Sequence, residues 1–273
     1  MFAEVIGDPI AQSKSPVIHK HWLERLGIEG DYLRTLVPSD ELAQFLGRRR
    51  ADPDWRGCNV TIPHKERIMP RLAELDEGAS AIGAVNCVVP HDRGLTGFNT
   101  DIDGVAAALD STQLHGRKVA VIGAGGGARA LVAYLARRQV GQISILVRDP
   151  KRAESLRRLA IGPEVEILPL ASGDQGFDGA AAIVNASPLG MAGAAEMPFA
   201  LLDAVGRHAA GATLFDMVTT PAQTPFLDVG RASGAQAVDG LTMLIGQARR
   251  AFELFFGRPA PAPDQQLRDL LVT

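Results

Sequence analysis

Four short segments in the first half of the chain collect side chains that bind anions, hydroxyls or protons. Ser13, Lys14 and Ser15 bring two hydroxyls around an amine, and Asn59, Thr61, His64 and Lys65 add an amide, a hydroxyl, an imidazole and an amine within seven residues. Asn86 contributes a further amide, and Asn99, Thr100 and Asp101 end on a carboxylate. Each segment follows an apolar run and precedes an amphipathic one, the place where open α/β sheets put their ligand groups. A lysine held by a carboxylate is a device for moving a proton: the ammonium donates it and the carboxylate orients the ammonium. Taken singly, each residue has a structural alternative. Ser15 before Pro16 could cap a helix, Lys65 could be a surface cation, and Asp101 could cap the helix that begins near Ile102.

A fifth segment carries a different chemistry. Gly123, Ala124, Gly125, Gly126 and Gly127, followed by Ala128, fit G-x-G-x-x-A directly after an apolar strand and directly before a helical pattern. Such a turn lets the backbone approach a pyrophosphate and points a helix N-terminus at the anion. The next strand ends at Val147 and is followed by Arg148, Asp149, Pro150, Lys151 and Arg152. An acid at that strand end would take the ribose 2′-hydroxyl of NAD, whereas Arg148 with Lys151 and Arg152 suits the 2′-phosphate of NADP. Asp149 is the competing reading, since a slip of one residue would make it the ribose acid.

The elements that must position these groups alternate. Strands are expected at residues 4–7, 32–37, 57–61, 84–89 and 95–98, with helices opening at Ser15 and Ser39 and over residues 64–75. From residue 118 a cleaner strand–helix repeat reads as a doubly wound nucleotide-binding fold. The chain of 273 residues, 46% hydrophobic and 22% charged, can bury a substantial core. Its net charge of −3 offers no basic field for nucleic acid. No apolar run reaches the roughly 18 residues that span a bilayer, and the N-terminus lacks a signal-peptide pattern. Cys58 and Cys87 lie in apolar strand-like segments with no metal-ligand spacing, so no metal is expected and a cytoplasmic location is.

The ordered set SKSP, NVTxPxK around Lys65, GAVN, GxNTD and GAGG resembles the shikimate dehydrogenase family. Asn185 through Met191, the segment from Asp216 through Pro221 to Thr224 and Pro225, and the segment from Gly240 through Met243 and Leu244 to Gln247 and Ala248 extend the likeness to essentially the whole chain. The resemblance implies an α/β protein: a substrate domain of residues 1–101 and 239–273, an inserted Rossmann-like NADP domain of residues 102–238, and an active-site cleft between them. It implies Ser13 and Ser15 at a substrate carboxylate, Thr61, Asn86, Asp101 and Gln247 at ring hydroxyls, and Lys65 with Asp101 as the catalytic pair. For NADP it implies the five residues of the glycine turn, Val147, Arg148, Asp149, Lys151, Arg152, Met217, Gly240 and Glu77. His64 is expected to be only a neighbour of Lys65. The implied reaction is the reversible NADPH-dependent reduction of 3-dehydroshikimate to shikimate by a monomer or homodimer, with small molecules as the only partners. A quinate-active paralogue and a non-catalytic NADP-binding sensor are the alternatives.

Two positions depart from the family pattern. Thr219 stands where a substrate-contacting Tyr is usual, and Val147 stands where an Asn usually precedes the cofactor arginine. The first bears on the choice between shikimate and quinate, the second on NADP over NAD.

Overall fold

The apolar N-terminal run becomes β1 (Phe2–Gly7), flanked in its sheet by β2 (Asp31–Leu36) and β3 (Trp55–Val60), both parallel to it. The computed structural model describes residues 1–272, the side chain of Arg152 excepted. The parallel crossovers are α1 (Ser15–Leu26) and α2 (Leu42–Arg50). After them come β4 (Glu74–Leu75), α3 (Glu77–Ile82), and a hairpin of β5 (Cys87–His91) and β6 (Gly94–Phe98). The six strands lie in the order β2-β1-β3-β5-β6-β4.

Neighbouring residues of β1 enter different cores, as the two-residue period of a strand buried on both faces requires. Ile6 packs with Val60 and with Leu42, Phe45 and Leu46 of α2. Ala3 and Val5 pack with Tyr32 and with Ala251 and Phe255 of α10 (Gly240–Phe256).

A second sheet is built from strands that alternate with helices. Between α4 (Asp101–Leu109) and α10 the order is β7 (Lys118–Ile122), α5 (Gly126–Arg137), β8 (Gln142–Val147), α6 (Pro150–Arg157), β9 (Glu164–Pro169) and α7 (Gly173–Phe177). Then come β10 (Ala180–Asn185), α8 (Phe199–His208), β11 (Thr213–Asp216), α9 (Pro225–Ala232) and β12 (Gln236–Val238). All pairs are parallel, in the order β12-β11-β10-β7-β8-β9. The strand order reverses between β7 and β10, the switch point at which such folds hold dinucleotides. Val119 and Val121 of β7 face one core and Ala120 and Ile122 the other. The last helix is α11 (Gln265–Val272).

The chain divides into two compact units, Met1–Asp101 with Gln247–Leu271, and Ile102–Gly246. The second boundary thus falls inside α10, whereas the family resemblance implied residue 239. The helix expected over residues 64–75 does not form; the segment holds turns, a 3-10 turn at Met69–Arg71 and β4. Pro70 lacks the N–H that a helix interior needs, and α3 starts afresh where Asp76 accepts from the Ala79 N–H at 2.7 Å. Ser39 is not a helix cap either: α2 begins at Leu42, and the Ser39 hydroxyl accepts from Arg67. Cys58 and Cys87 are buried free thiols. Among the described residues no helix is long and apolar enough to cross a membrane.

Candidate active site

Lys65 stands in the loop that follows β3, and Asp101 is the first residue of α4. The Lys65 Nζ donates to Asp101 Oδ2 at 2.7 Å, with the lysine side chain 29% exposed and the aspartate 9%. The other carboxylate oxygen, Oδ1, accepts from Asn86 Nδ2 at 2.8 Å, and the same Nδ2 reaches Gln247 Oε1 at 3.2 Å. Both oxygens of Asp101 are therefore committed to different partners, which fixes the plane of the carboxylate and the direction of the ammonium. This one bonded group joins β3, the turn before β5, α4 and α10. Its members lie from 15 to 182 positions apart in sequence, and the sheet brings them together.

The surroundings of this group hold residues that motif reading left without a role. Asn99 Oδ1 accepts from the Asp101 N–H at 3.1 Å, and Asn99 Nδ2 donates to the Ala84 carbonyl at 2.9 Å. Asn86 Oδ1 accepts from the Thr100 N–H at 2.7 Å and from its hydroxyl at 3.3 Å. Asn59 Nδ2 donates to the Asn86 carbonyl at 3.1 Å. The signal for all three was their place inside the polar segments, each within two positions of a residue already given a role. His64 is buried and turned away from Lys65, with Nε2 at 2.7 Å from the Val37 carbonyl.

Ser13 and Ser15 are adjacent across the entry to α1, where the Ser15 N–H donates to Ser13 Oγ at 3.4 Å. The capping alternative for Ser15 fails, because Lys14 is the N-cap, no side chain caps the helix, and Ser15 is its first residue. Its hydroxyl is thus not consumed by helix termination. Thr61 follows β3, with its N–H bonded to the Ile6 carbonyl at 3.0 Å. Lys65, Asp101, Asn86, Gln247, Ser13, Ser15 and Thr61 all belong to the first unit, whereas half-buried Thr219 belongs to the second.

In the second unit the glycine turn sits at the β7 end of the switch point. Gly123 has φ +104°, and a Cβ there would meet Ser187 Cβ at 2.9 Å and the Ala186 carbonyl at 3.0 Å, so only glycine fits against the turn after β10. Gly125 caps α5 with no side-chain bond, and a Cβ at Gly125 or Gly126 would meet nothing within 4 Å. Ala124 packs against the core beside them. An uncapped helix N-terminus facing open space is a cradle of N–H donors that fits a pyrophosphate.

Arg148 and Lys151 are exposed, and the side chain of Arg152 lies outside the described residues. Asp149 caps α6, accepting from the Lys151 N–H at 3.1 Å, which gives this acid a structural role and favours the cationic reading of the strand end. Val147 is 6% exposed, with its side chain in the core and its carbonyl bonded to the Leu170 N–H. It therefore offers no side-chain polar group to a ribose. Met217 Sδ would lie 2.8 Å from a Cβ on Gly127, and a Cβ on Gly240 would strike the Val218 carbonyl at 2.3 Å. The loop after β11 is wedged between the starts of α5 and α10. Buried Asp216 anchors that loop, accepting from Asn185 Nδ2 at 2.9 Å, Thr224 Oγ1 at 2.6 Å and the Val218 N–H at 3.0 Å. Burial pushes its carboxyl above the usual range, and these three donors oppose that rise. Glu77 is exposed at the start of α3 in the first unit, apart in sequence and unit from the rest of the implied cofactor set.

Comparison with known proteins gives matches along most of the chain. Residues 5–88 match the family model described as shikimate dehydrogenase substrate binding domain, residues 106–188 that of shikimate / quinate 5-dehydrogenase, and residues 240–264 that of the shikimate 5'-dehydrogenase C-terminal domain. The chain is 46% identical over 273 residues to shikimate dehydrogenase (NADP(+)) from Sphingopyxis alaskensis, covering 99% of this chain and 97% of that protein. Shikimate 5-dehydrogenase from Listeria monocytogenes, solved with shikimate and NAD, matches with a TM-score of 0.89 at 28% identity, over 99% of this chain and 96% of that one. Ligand-free 5-ketofructose reductase from a Gluconobacter strain matches with a TM-score of 0.88 at 28% identity, over 99% and 97%.

Proposed function

The chain belongs to the shikimate dehydrogenase family, and from that premise we propose that it catalyses the reversible NADPH-dependent reduction of 3-dehydroshikimate to shikimate. The observation that carries the proposal is the 2.7 Å bond between Lys65 and an Asp101 whose second oxygen is held by Asn86. When bound, NADPH supplies the hydride that reduces the ring ketone. What the protein must add is a proton at the carbonyl oxygen, where negative charge grows as hydride arrives on carbon. Lys65 in its ammonium form supports that role: it gives one N–H to Asp101 and retains two for the substrate oxygen. In the oxidation direction, neutral Lys65 takes the hydroxyl proton and passes it to solvent.

Around this pair the reading assigns Asn86 and Gln247 to ring hydroxyls, together with Thr61, and Ser13 and Ser15 to the carboxylate. Asn86 keeps a geometric duty as well, since its amide is what turns Asp101 toward the lysine. The NADP preference is supported by Arg148 and Lys151 at the end of β8 and by the use of Asp149 as a helix cap. The domain division follows from the same reading, with the first unit holding substrate and the second NADP.

The test is a rate matrix in which purified protein receives shikimate or quinate, each with NADP or NAD, and nicotinamide reduction is followed by absorbance. The expected result is fastest turnover with shikimate and NADP. No turnover in any pair would remove the enzymatic reading, and a preference for quinate would move the assignment to the other acid. Thr219 is the residue to examine in that second case, because its short hydroxyl stands where the family carries a longer phenol.

A further inference from the structure

The serines assigned to the substrate carboxylate do not stand alone. Tyr32 and Arg34 are two residues apart on β2, the edge strand of the first sheet, so their side chains share one face. Thr35, on the opposite face, bonds Glu4 on the side of Arg49 from α2, and this fixes which way each face looks. Arg34 Nε donates to the Ser13 carbonyl at 2.8 Å. The buried Tyr32 hydroxyl donates to Asn59 Oδ1 at 2.6 Å.

We propose that this face of β2 is the supporting layer of the carboxylate subsite: Arg34 holds the Ser13 loop and supplies the subsite's positive charge, and Tyr32 holds Asn59 beside it. The proposal rests on the functional reading above, which puts an organic carboxylate at Ser13 and Ser15. Three facts carry it. A neutral pair of hydroxyls binds a carboxylate weakly against water, and a cation beside them strengthens those bonds. Lys14, the nearer cation in sequence, is anchored at the Leu271 carbonyl in α11. Arg34 is anchored on the Ser13 loop itself and pairs with no carboxylate among the described residues, so its terminal N–H groups are left for an anion.

Tyr32 adds reach. Through Asn59 and the Asn86 carbonyl it links the carboxylate end of the subsite to the amide that orients Asp101. Its own surroundings keep it a donor, because burial first, and then Cys87, Cys58 and Glu4, push its ionisation well above that of a free phenol.

The experiment compares initial rates of the wild type, Arg34→Met and Arg34→Lys with shikimate and NADP at several ionic strengths. Arg34→Met is expected to raise the shikimate KM about tenfold, with most of the loss on KM rather than kcat and no change in the NADP KM. It should also flatten the fall of kcat/KM with added salt, while Arg34→Lys keeps the wild-type salt slope. An active wild type whose shikimate KM and salt slope survive Arg34→Met overturns the proposal. A wild type without turnover instead removes the functional reading beneath it. For Tyr32, the penalty of Tyr32→Phe on the shikimate KM should shrink in an Asn59→Ala background. An equal penalty in both backgrounds would show that Tyr32 does not act through Asn59.

Discussion

At the scale of residues, chemistry depends on how each polar atom is committed. Asp101 has one oxygen on Asn86 and one on Lys65, and Asn86 in turn is held by the Thr100 N–H and hydroxyl. The Lys65–Asp101 pair, to which the proposed proton transfer is assigned, was singled out through the ordered motifs that carry the family resemblance, since each residue alone had a structural alternative. Arg34 and Tyr32 were not, because their contacts to Ser13 and Asn59 arise from the pairing of β2 on β1 and not from any local spacing. His19 was unmarked for a similar reason. It is fully buried, stacked on Tyr32 with ring centroids 4.0 Å apart, and neither ring nitrogen has a partner. Burial lowers its pKa from 6.5 to about 3. Above pH 6.5 the group is neutral folded and unfolded, so it does not affect stability. As pH falls from 6.5 toward 3 only the unfolded chain takes up the proton, and stability drops, by about 3 kcal/mol at pH 4. His19→Phe should keep the stack and lose that dependence. Urea unfolding at pH 7 and pH 4 checks it, and an acid loss as large as the wild type's would contradict the assignment.

At the scale of elements, glycine positions separate folding from binding. A methyl at Gly126 meets open space, and alanine is favoured over glycine inside a helix by about 1 kcal/mol. Gly126→Ala should therefore fold with an unchanged or slightly higher Tm, yet raise the NADP KM tenfold or more by crowding the anion cradle. Gly123→Ala should instead lower the Tm, since its φ of +104° and the contacts to Ser187 and Ala186 admit no side chain. Thermal melts and NADP titrations of the two variants settle the matter, and ordinary NADP affinity in Gly126→Ala would contradict the cradle. The second sheet was readable because strands buried on both faces give continuous apolar runs, as at Lys118–Ile122. The segment before α3 was misread because its apolar spacing mimics a helix while Pro70 forbids one.

At the scale of the whole molecule, one chain makes two compact units, and the first is completed only when the chain returns at Gln247. That return brings Gln247 to Asn86 and seats Ala251 and Phe255 on the first sheet. The point of return was not legible, since α10 has an uninterrupted helical pattern and the boundary falls within it. The inserted arrangement itself was suggested by the family resemblance and not by composition. What unites the two units is the reaction, and its most exposed claim is that Lys65 moves the proton. The direct measurement is NADP reduction by shikimate with wild-type protein and with Lys65→Ala under the same conditions, with shikimate binding measured alongside. A fall in kcat of about a thousandfold, with shikimate still bound and the fold intact, is the expected result. Turnover by Lys65→Ala near that of the wild type would contradict the account.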